Sequence, residues 1–253
     1  MSDESVPVDS FGNPIDREVA YARGSILRSS VEEAARLRNA QKVAGGRVRQ
    51  LGPGSIGVFT GNPRSFPIGA DDLDTICEEW VGPSLYADDL RRVALDHLGG
   101  EPSDAVTVLN RSSAGIIATI LALANGRTVV SIAPPDGHSH VSVMRGCVLA
   151  GVDQVEAQAD GDWRATIDEA RPALVVVTTV TSSLERLDDE ITRQVADHAH
   201  GVGAKVFLDE AYGARLRPVL HGGRLSLQLG ADLTITNSDK AGLNGPRSGV
   251  LAG

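Results

Sequence analysis

The distribution of apolar and polar residues changes near residue 98. Beyond that point, short and almost wholly apolar runs alternate with stretches whose apolar positions recur at helical spacing. A strand buried on both faces of a sheet is apolar throughout, and its alternation with helices is typical of parallel sheets covered on both sides. The pattern predicts a three-layer α/β/α fold with a mostly parallel, seven-stranded sheet. The predicted strands are 105–110, 127–132, 152–157, 173–179, 205–209, 232–236 and 249–252.

Helical spacing of apolar residues also fills the segments between these strands. The helices predicted there are 113–124, 140–150, 165–170 and 188–200. Near the N-terminus, Ser30 and Glu33 have the spacing of a capping box, which predicts a helix with Ser30 as its N-cap. The glycine-rich stretch from Gly45 to Gly57 is expected to break regular structure.

The segment before residue 98 is expected to be a separate, mainly helical region. Residues 71–81 and 86–98 have helical spacing, and Pro83 lies between them, which predicts two helices separated at the proline. We therefore divide the chain into an N-terminal arm with helices, residues 1–75, and one large domain, residues 76–253.

Composition narrows the classes of function. The formal net charge is −9, and sequence-independent nucleic-acid binding needs Lys and Arg to neutralise phosphates, so nucleic acid is an unlikely partner. The stretch with Lys42, Arg47 and Arg49 and the pair Arg215 and Arg217 are locally positive, which leaves a local basic patch open. Neither of the two cysteines lies in a CxxC pair, so no metal site is predicted. No run is long enough to span a membrane, and the first residues lack the apolar run of a signal peptide, so we expect a cytoplasmic protein.

Lys240 and Asp209 carry the most informative chemistry. Lys240 is one of three lysines and follows the 232–236 strand, while Asp209 ends the 205–209 strand. A lysine, unlike an arginine, can form a Schiff base, and a buried acid needs a cationic partner. An acid on the pyridinium nitrogen and a lysine on the aldehyde are the anchors of pyridoxal phosphate (PLP). The alternative is that Lys240 only pairs with Asp239 in a polar turn.

Residues that follow the other strands add candidate ligand contacts, because ligands bind beyond the carboxyl ends of parallel strands. Arg111, Ser112 and Ser113 begin a helix and suit a phosphate, although Ser112 or Ser113 is also an ordinary N-cap. Ser238 has a hydroxyl that suits the same phosphate, and Ala211 is small enough to lie under a ring.

The residues at the ends of two further strands each have more than one possible role. After the second strand, either His138 or His140 is a candidate for stacking on an aromatic ring or for proton transfer, and a solvated loop histidine is the alternative. After the apolar residues Val175–Val177 of the 173–179 strand comes a run of hydroxyl residues that either contact a cofactor oxygen or cap the turn: Thr178, Thr179, Thr181, Ser182 and Ser183. A Ser-His-Asp hydrolase is disfavoured, because the chain lacks the G-x-S-x-G elbow.

Four segments together resemble fold-type I PLP enzymes, and in particular the archaeal PLP-dependent family related to bacterial selenocysteine synthase (L-seryl-tRNA selenium transferase). The resemblance runs from about residue 98 to the end of the chain, and the block from Gly230 to Gly253 is its most specific part. The segments begin at Asn110 (Asn-Arg-Ser-Ser), Gly137 (Gly-His-Ser-His-Val-Ser-Val), Phe207 (Phe-Leu-Asp-Glu-Ala-Tyr-Gly-Ala-Arg) and Gly230 (Gly-Ala-Asp-Leu-Thr-Ile-Thr-Asn-Ser-Asp-Lys).

The resemblance implies roles for the strand-end residues. It makes Lys240 the Schiff-base residue, Asp209 the partner of the pyridinium nitrogen, and His140 the ring-stacking histidine. It places the phosphate at the turn of Ser112 and Ser113. It also implies an amino acid or aminoacyl substrate, elimination or replacement at Cβ, and a dimer or larger homo-oligomer. The family pattern has a smaller residue where this chain has Tyr212.

The chain departs from the family at its end. Fold-type I enzymes continue into a small C-terminal domain, whereas this sequence stops at Gly253, so we expect that domain to be missing. A non-catalytic or truncated PLP-fold protein that binds or dimerises is therefore an alternative to the enzyme. A tRNA-dependent transferase is a further alternative, against which the acidic balance argues.

Overall fold

The computed structural model describes residues 29–52, 81–241, 243 and 247–253. The chain forms two compact units, residues 1–57 and 58–253. The predicted boundary between residues 75 and 76 lies outside the described residues, and so does all of the predicted helix 71–81 except its last residue. None of the described helices is long and apolar enough to cross a membrane.

The described part of the first unit is one helix, α1 (Ser30–Leu51). Its N-cap is Ser29, whose hydroxyl accepts a hydrogen bond from the Glu32 amide at 3.2 Å, so the predicted cap at Ser30 is one residue late. The helix continues through Gly45 and ends at Leu51, so the break lies inside the predicted stretch but begins later than predicted. A glycine costs a helix only about 1 kcal/mol relative to alanine, which a helix of 22 residues tolerates.

The second unit alternates strands and helices as the apolar pattern predicts. Its elements are α2 (Val81–Leu98), β1 (Val106–Leu109), α3 (Ser112–Leu123), β2 (Val129–Ala133), α4 (Val141–Ala150), β3 (Gln154–Gln158), α5 (Trp163–Ala170), β4 (Leu174–Thr178), α6 (Asp189–Gly201), β5 (Lys205–Asp209), α7 (Gly213–His221), a 3-10 turn (Ser226–Leu229), β6 (Leu233–Asn237) and β7 (Gly249–Ala252).

The seven strands form one sheet in the order β1-β7-β6-β5-β4-β2-β3. Only β7 is antiparallel to its neighbours, so the predicted mostly parallel sheet is confirmed. The register pairs Gly249 with both Leu109 and Asn237, the last residues of β1 and β6. The loops that follow the parallel strands therefore leave the sheet at a common edge, which we call the carboxyl edge.

Apolar side chains cover both faces of the central strands. On one face, Val177 of β4 and Leu208 of β5 pack with residues of α5 and α6. On the other, Val176 and Phe207 pack with residues of α3 and α4. All four side chains are fully buried, which explains why β4 and β5 are apolar runs rather than alternating ones.

Three local predictions in this unit are wrong for identifiable reasons. Strand β1 was expected to be buried, but it lies at the sheet edge and Val108 is 45% exposed. The helix predicted to begin at residue 86, after Pro83, already begins at Val81, so Pro83 lies in the first turn of α2, where proline leaves no hydrogen bond unmade. Helix α7 was not predicted, since Pro218 within it reads as a helix breaker.

Candidate active site

The predicted site residues lie together at the carboxyl edge of the sheet. Strand β5 ends in Asp209, and Lys240 follows β6 after a short turn. His140 precedes α4 on the connection from β2, and Thr179 directly follows β4. Ser112 begins α3, three residues beyond the last residue of β1. The topology therefore brings together segments that are more than 100 residues apart in the sequence.

Asp209 is a buried carboxylate with few partners. Its residue surface is 3% exposed, and its Oδ1 accepts a hydrogen bond from the Ala211 amide at 3.2 Å. Within the described residues it forms no salt bridge. Burial raises the pKa of Asp209, while the charge on His140, the Ala211 N–H and the charge on Lys240 lower it. The carboxylate is thus suited to a cationic ligand atom.

His140 lies within the electrostatic reach of both Asp209 and Lys240. It is the N-cap of α4, and its Nδ1 accepts a hydrogen bond from the Ser142 amide at 3.2 Å. A neutral ring in this arrangement carries its proton on Nε2. His140 as a residue is exposed, yet surrounding protein atoms lower its pKa by desolvation; Asp209 raises the pKa and Lys240 lowers it.

Lys240 is half-buried, and its amine rests over an aromatic ring. The Nζ atom lies 4.9 Å from the centroid of Tyr212, the residue that replaces a smaller one in the family pattern. The following residue, Ala241, has a φ of 52°, and its carbonyl accepts a hydrogen bond from Arg215 Nε at 2.9 Å. Asp239, the alternative partner suggested by the sequence, lies 3.7 Å from the Nε atom of Arg247.

The start of α3 is free of a side-chain cap. Its N-cap is Arg111, which makes no capping hydrogen bond with its side chain, so neither Ser112 nor Ser113 is the N-cap. A Cβ on Gly249 would lie 2.5 Å from the Arg111 carbonyl, so only glycine lets β7 pass this close. The first N–H groups of the helix and the dipole behind them suit an anion.

The remaining predicted contact residues differ in burial: Ser238 and Ala211 are partly exposed, whereas Thr179 is buried. Ser238 pairs with the hydroxyl of Ser248 at 2.8 Å, and Ser248 directly precedes Gly249, so this pair belongs to the turn beside α3. Ala211 is held in place because its carbonyl accepts a hydrogen bond from the Asn237 amide group at 2.7 Å. Thr179, in contrast, is fully buried, and its hydroxyl lies beside Gly213 rather than on an open surface.

A buried ionic network beneath Asp209 was not predicted. Glu210 and Arg217 are both fully buried and form a salt bridge, and Arg217 Nη1 also donates to Asp189 at 2.8 Å. Burial raises the pKa of Glu210 to about 7, although Arg217 and Thr179 lower it. Arg217 is therefore part of the core and not of a positive surface. An acid directly after Asp209 in a buried strand end was the available signal.

The two histidines that the sequence left open occupy different environments. His138 Nδ1 lies 2.7 Å from Glu156 Oε1, so this histidine is joined to the edge strand β3. His140 instead interacts electrostatically with Asp209 and Lys240. The geometry favours His140 as the histidine that contacts a ligand.

Together these residues fit PLP. A buried carboxylate without a cation suits the pyridinium nitrogen, and an uncapped helix start suits the phosphate. Lys240 supplies the amine, and its charge acts on both Asp209 and His140.

Curated relatives have names that agree with this fit. No protein-family model matches the chain. It is 35% identical over 228 residues to a "UPF0425 pyridoxal phosphate-dependent protein" of Methanothermobacter thermautotrophicus, covering 90% of this chain and 58% of the relative. A protein of the same UPF0425 name in Methanococcus maripaludis is 32% identical over 225 residues, covering 88% of this chain and 62% of the relative. The chain thus spans about three fifths of these relatives.

A solved structure supports the fold. The ureidoglycine–glyoxylate aminotransferase of Bacillus subtilis superposes with a TM-score of 0.53 at 14% identity, covering 67% of this chain and 44% of that one. At this identity the likeness concerns the fold alone. The predicted resemblance to PLP-dependent proteins is confirmed by the names of the relatives, whereas the relation to selenocysteine synthase is not confirmed.

Proposed function

We propose that this chain binds PLP through Lys240 and belongs to an enzyme that acts on an amino acid or aminoacyl substrate. The observation that carries the proposal is the convergence of a buried carboxylate, Asp209, with His140 and the Lys240 amine at the carboxyl edge, where burial shifts the pKa of both Asp209 and His140. Such clusters of perturbed groups concentrate at functional sites. The names of relatives at 35% and 32% identity support the choice of cofactor.

Asp209 and Lys240 supply the reactive groups. When bound, PLP withdraws electrons from the Cα atom of an amino acid joined to it. Asp209 keeps a proton on the ring nitrogen, because its buried carboxylate has no other cation among the described residues. The Lys240 amine would hold the cofactor aldehyde and would move a proton at the Cα atom of the substrate.

Ser112, Ser113 and His140 position the cofactor in this proposal. The first N–H groups of α3 and the two hydroxyls bind the phosphate, with Ser238 on the neighbouring turn and Arg111 at the N-cap. The His140 ring covers one face of the pyridine ring. Its Nδ1 is occupied by the Ser142 amide, so only Nε2 can donate to a substrate.

Ala211 and Thr179 have supporting roles in the same arrangement. The two hydrogen bonds that fix Ala211 hold a small side chain next to Asp209, where a flat ring needs room. The Thr179 hydroxyl and the Glu210 carboxylate both lie beside Gly213, and the Thr179 backbone N–H donates to the Asp209 carbonyl at 3.3 Å. We propose that Thr179 acts on the cofactor only through the position of Asp209.

The finer assignments rest on the resemblance. We propose elimination or replacement at Cβ as the reaction, a relation to selenocysteine synthase, and a homodimer. An exposed apolar face of α2 supports self-association, since its side chains are 44–57% exposed. The face consists of Leu85, Tyr86, Leu90 and Val93. Because the chain spans three fifths of its relatives, a PLP-binding protein without turnover is the second candidate.

Spectroscopy during an amino acid screen tests the proposal. The protein reconstituted with PLP should show a visible band that free PLP lacks, and one or more amino acids should change it. Lys240→Ala should abolish the band, whereas Lys42→Arg and Lys205→Arg should keep it. A band that persists in Lys240→Ala contradicts the proposal. A band that no amino acid changes favours the second candidate.

A further inference from the structure

We propose that three polar residues of the edge strand β3, Gln154, Glu156 and Gln158, position the His140 ring relative to Asp209 and Lys240. We call them the β3 clamp. As a statement about cofactor binding, the proposal rests on the function proposed above. As a statement about the placement of His140, it stands on contacts within the described residues.

The clamp arises from the two-residue period of a strand. Strand β3 pairs in parallel with β2, and its register places Glu156 opposite Ser131. Alternate side chains of a strand point to the same face, so Gln154, Glu156 and Gln158 share one face of the sheet. The segment that leaves the end of β2 passes over this face as residues 137–139.

Glu156 makes the central contacts of the clamp. Its Oε2 accepts a hydrogen bond from the Ser139 amide at 2.8 Å and another from the Ser139 hydroxyl. Its Oε1 lies 2.7 Å from His138 Nδ1. One carboxylate therefore holds two consecutive residues, through both backbone and side-chain atoms. The side chains of Glu156 and His138 are each only 22% exposed, which limits competition from water.

The two glutamines hold the segment on either side of these contacts. Gln154 Nε2 donates to the Ser139 hydroxyl at 3.0 Å and to the buried Ser131 hydroxyl at 2.8 Å. Gln158 Nε2 donates to the Gly137 carbonyl at 2.9 Å. Three consecutive residues are thus tied to β3 immediately before His140.

The position of His140 follows from these restraints. Its backbone continues directly from the clamped Ser139, and its Nδ1 accepts from the Ser142 amide at 3.2 Å. The ring is therefore fixed from the β3 side through the backbone and from the α4 side through one nitrogen. Glu156 acts through His140 without contacting it, which makes it a positioning residue.

The test uses a double-mutant cycle on PLP affinity. Glu156→Ala removes the central contacts and should weaken PLP binding about tenfold, as the loss of several partly buried hydrogen bonds predicts. In a His140→Ala background the same change should have almost no further effect, because residues that act as a unit are not additive. Glu156→Gln retains an acceptor and a donor and should restore most of the affinity.

A matched control separates positioning from a general loss of stability. Asp168 and His198 form another acid–histidine pair between two elements, with Oδ1 and Nε2 2.9 Å apart. Asp168→Asn should leave PLP affinity unchanged. Equal losses on Glu156→Ala with and without His140, or no loss at all, would overturn the proposal.

A second readout needs no cofactor. In nuclear magnetic resonance titrations of the apoprotein, the ring of His140 should titrate below its ordinary value of 6.5. Glu156→Ala should free the segment, hydrate the ring and raise that pKa toward the ordinary value, while Asp168→Asn should not. An unchanged His140 titration overturns the proposal. If Glu156→Ala does not fold, Gln154→Ala should raise the pKa by less, and no rise counts against the clamp.

The two readouts distinguish the possible failures. If the parent protein binds no PLP, the proposed function is wrong and the His140 titration alone decides the role of the β3 clamp. If the parent binds PLP but the cycle is additive, the function stands and the clamp is rejected.

Discussion

Two aspartates at opposite ends of neighbouring strands have contrasting environments: Asp232 lies before β6, and Asp209 lies at the carboxyl end of β5. Asp232 directly precedes β6, and its carboxylate receives the Lys205 amine at 2.6 Å, the Val206 amide at 2.8 Å and His200 Nε2 at 2.8 Å. Burial alone would raise the pKa of Asp232, but these donors outweigh it and lower the pKa. Asp209 ends the neighbouring strand with one backbone donor, and its pKa is raised by burial.

The contrast separates a carboxylate that the protein itself pairs from one that it leaves without a cation among the described residues. The Asp232 carboxylate accepts hydrogen bonds from donors of the protein itself, so it stabilises the fold and needs no ligand. It leaves Asp209 buried without a cation among the described residues, which costs stability unless a ligand supplies the charge. Sites where a fold tolerates such a cost are candidates for function.

The largest expected effect is on cofactor affinity when Asp209 loses its charge. Asp209→Asn preserves the shape of the side chain but breaks the buried pair with the ring, which costs about 3–5 kcal/mol. PLP affinity, measured by fluorescence titration, should fall by two orders of magnitude or more, while thermal stability of the apoprotein is retained. Asp232→Asn is the matched control and should leave the PLP affinity unchanged. Equal affinities in the parent and Asp209→Asn would remove the distinction between the two aspartates.

The next effect concerns the ionic network beneath Asp209. Arg217→Met leaves the fully buried Glu210 without its partner and should lower the free energy of unfolding by about 3 kcal/mol, the lower end for a broken buried pair, because Glu210 can be protonated. The pKa of Glu210, already raised to about 7, should rise further. A group with a raised pKa binds its proton more tightly in the folded state, so the variant should gain stability as pH falls from 8 to 6.

Denaturant unfolding at several pH values measures this effect. Glu210→Gln combined with Arg217→Met removes the charge and should abolish the pH dependence between these values. A single variant whose stability does not depend on pH in this range would show that Glu210 is not the titrating group.

A smaller effect is expected at the start of α3. Ser112→Ala and Ser113→Ala, made singly, should each weaken PLP binding by about 1.5 kcal/mol, because each removes a neutral donor to a charged phosphate. Binding of pyridoxal, which has no phosphate, should be unchanged. Equal losses for both ligands would mean that the serines support the helix rather than the phosphate.

The smallest effect concerns Asp232 and acid stability. Because the pKa of Asp232 is lowered in the folded protein, its contribution is present above its ordinary value of 3.8 and is lost as pH falls through the lowered value. We expect about 1 kcal/mol, since Lys205 is largely exposed and its pairing is screened. Asp232→Asn should flatten the loss of stability below pH 4 in acid unfolding, and an unaltered acid profile would contradict this assignment.

The sequence predicts local structure best where burial determines residue type. The bounds of β5 and β7 were predicted to the residue. At β5 the buried run that ends at Asp209 is followed at once by another acid, Glu210. The continuation of α1 through its glycines was not predictable from propensity. The Glu210–Arg217 pair was also missed, because a partner seven residues away is specified by how α7 packs and not by a local pattern.

In the candidate site, too, some residues could be predicted from the sequence and others could not. Lys240 and Asp209 could be selected from sequence because each follows or ends a predicted strand, and parallel strands share an edge. The strand-end pattern alone left His138 and His140 open; the resemblance selects His140, and the contact of His138 with Glu156 on an edge strand favours the same choice. That contact depends on the pairing of β2 with β3, which periodicity alone does not assign.

The covalent attachment point of the cofactor tests the central claim most directly. The chain has three lysines, Lys42, Lys205 and Lys240. The protein reconstituted with PLP should be reduced with borohydride, digested and mapped by mass spectrometry. The account predicts a pyridoxyl group on the peptide that contains Lys240 and on no other. A label on Lys42 or Lys205 instead, or no label at saturating PLP, would contradict it.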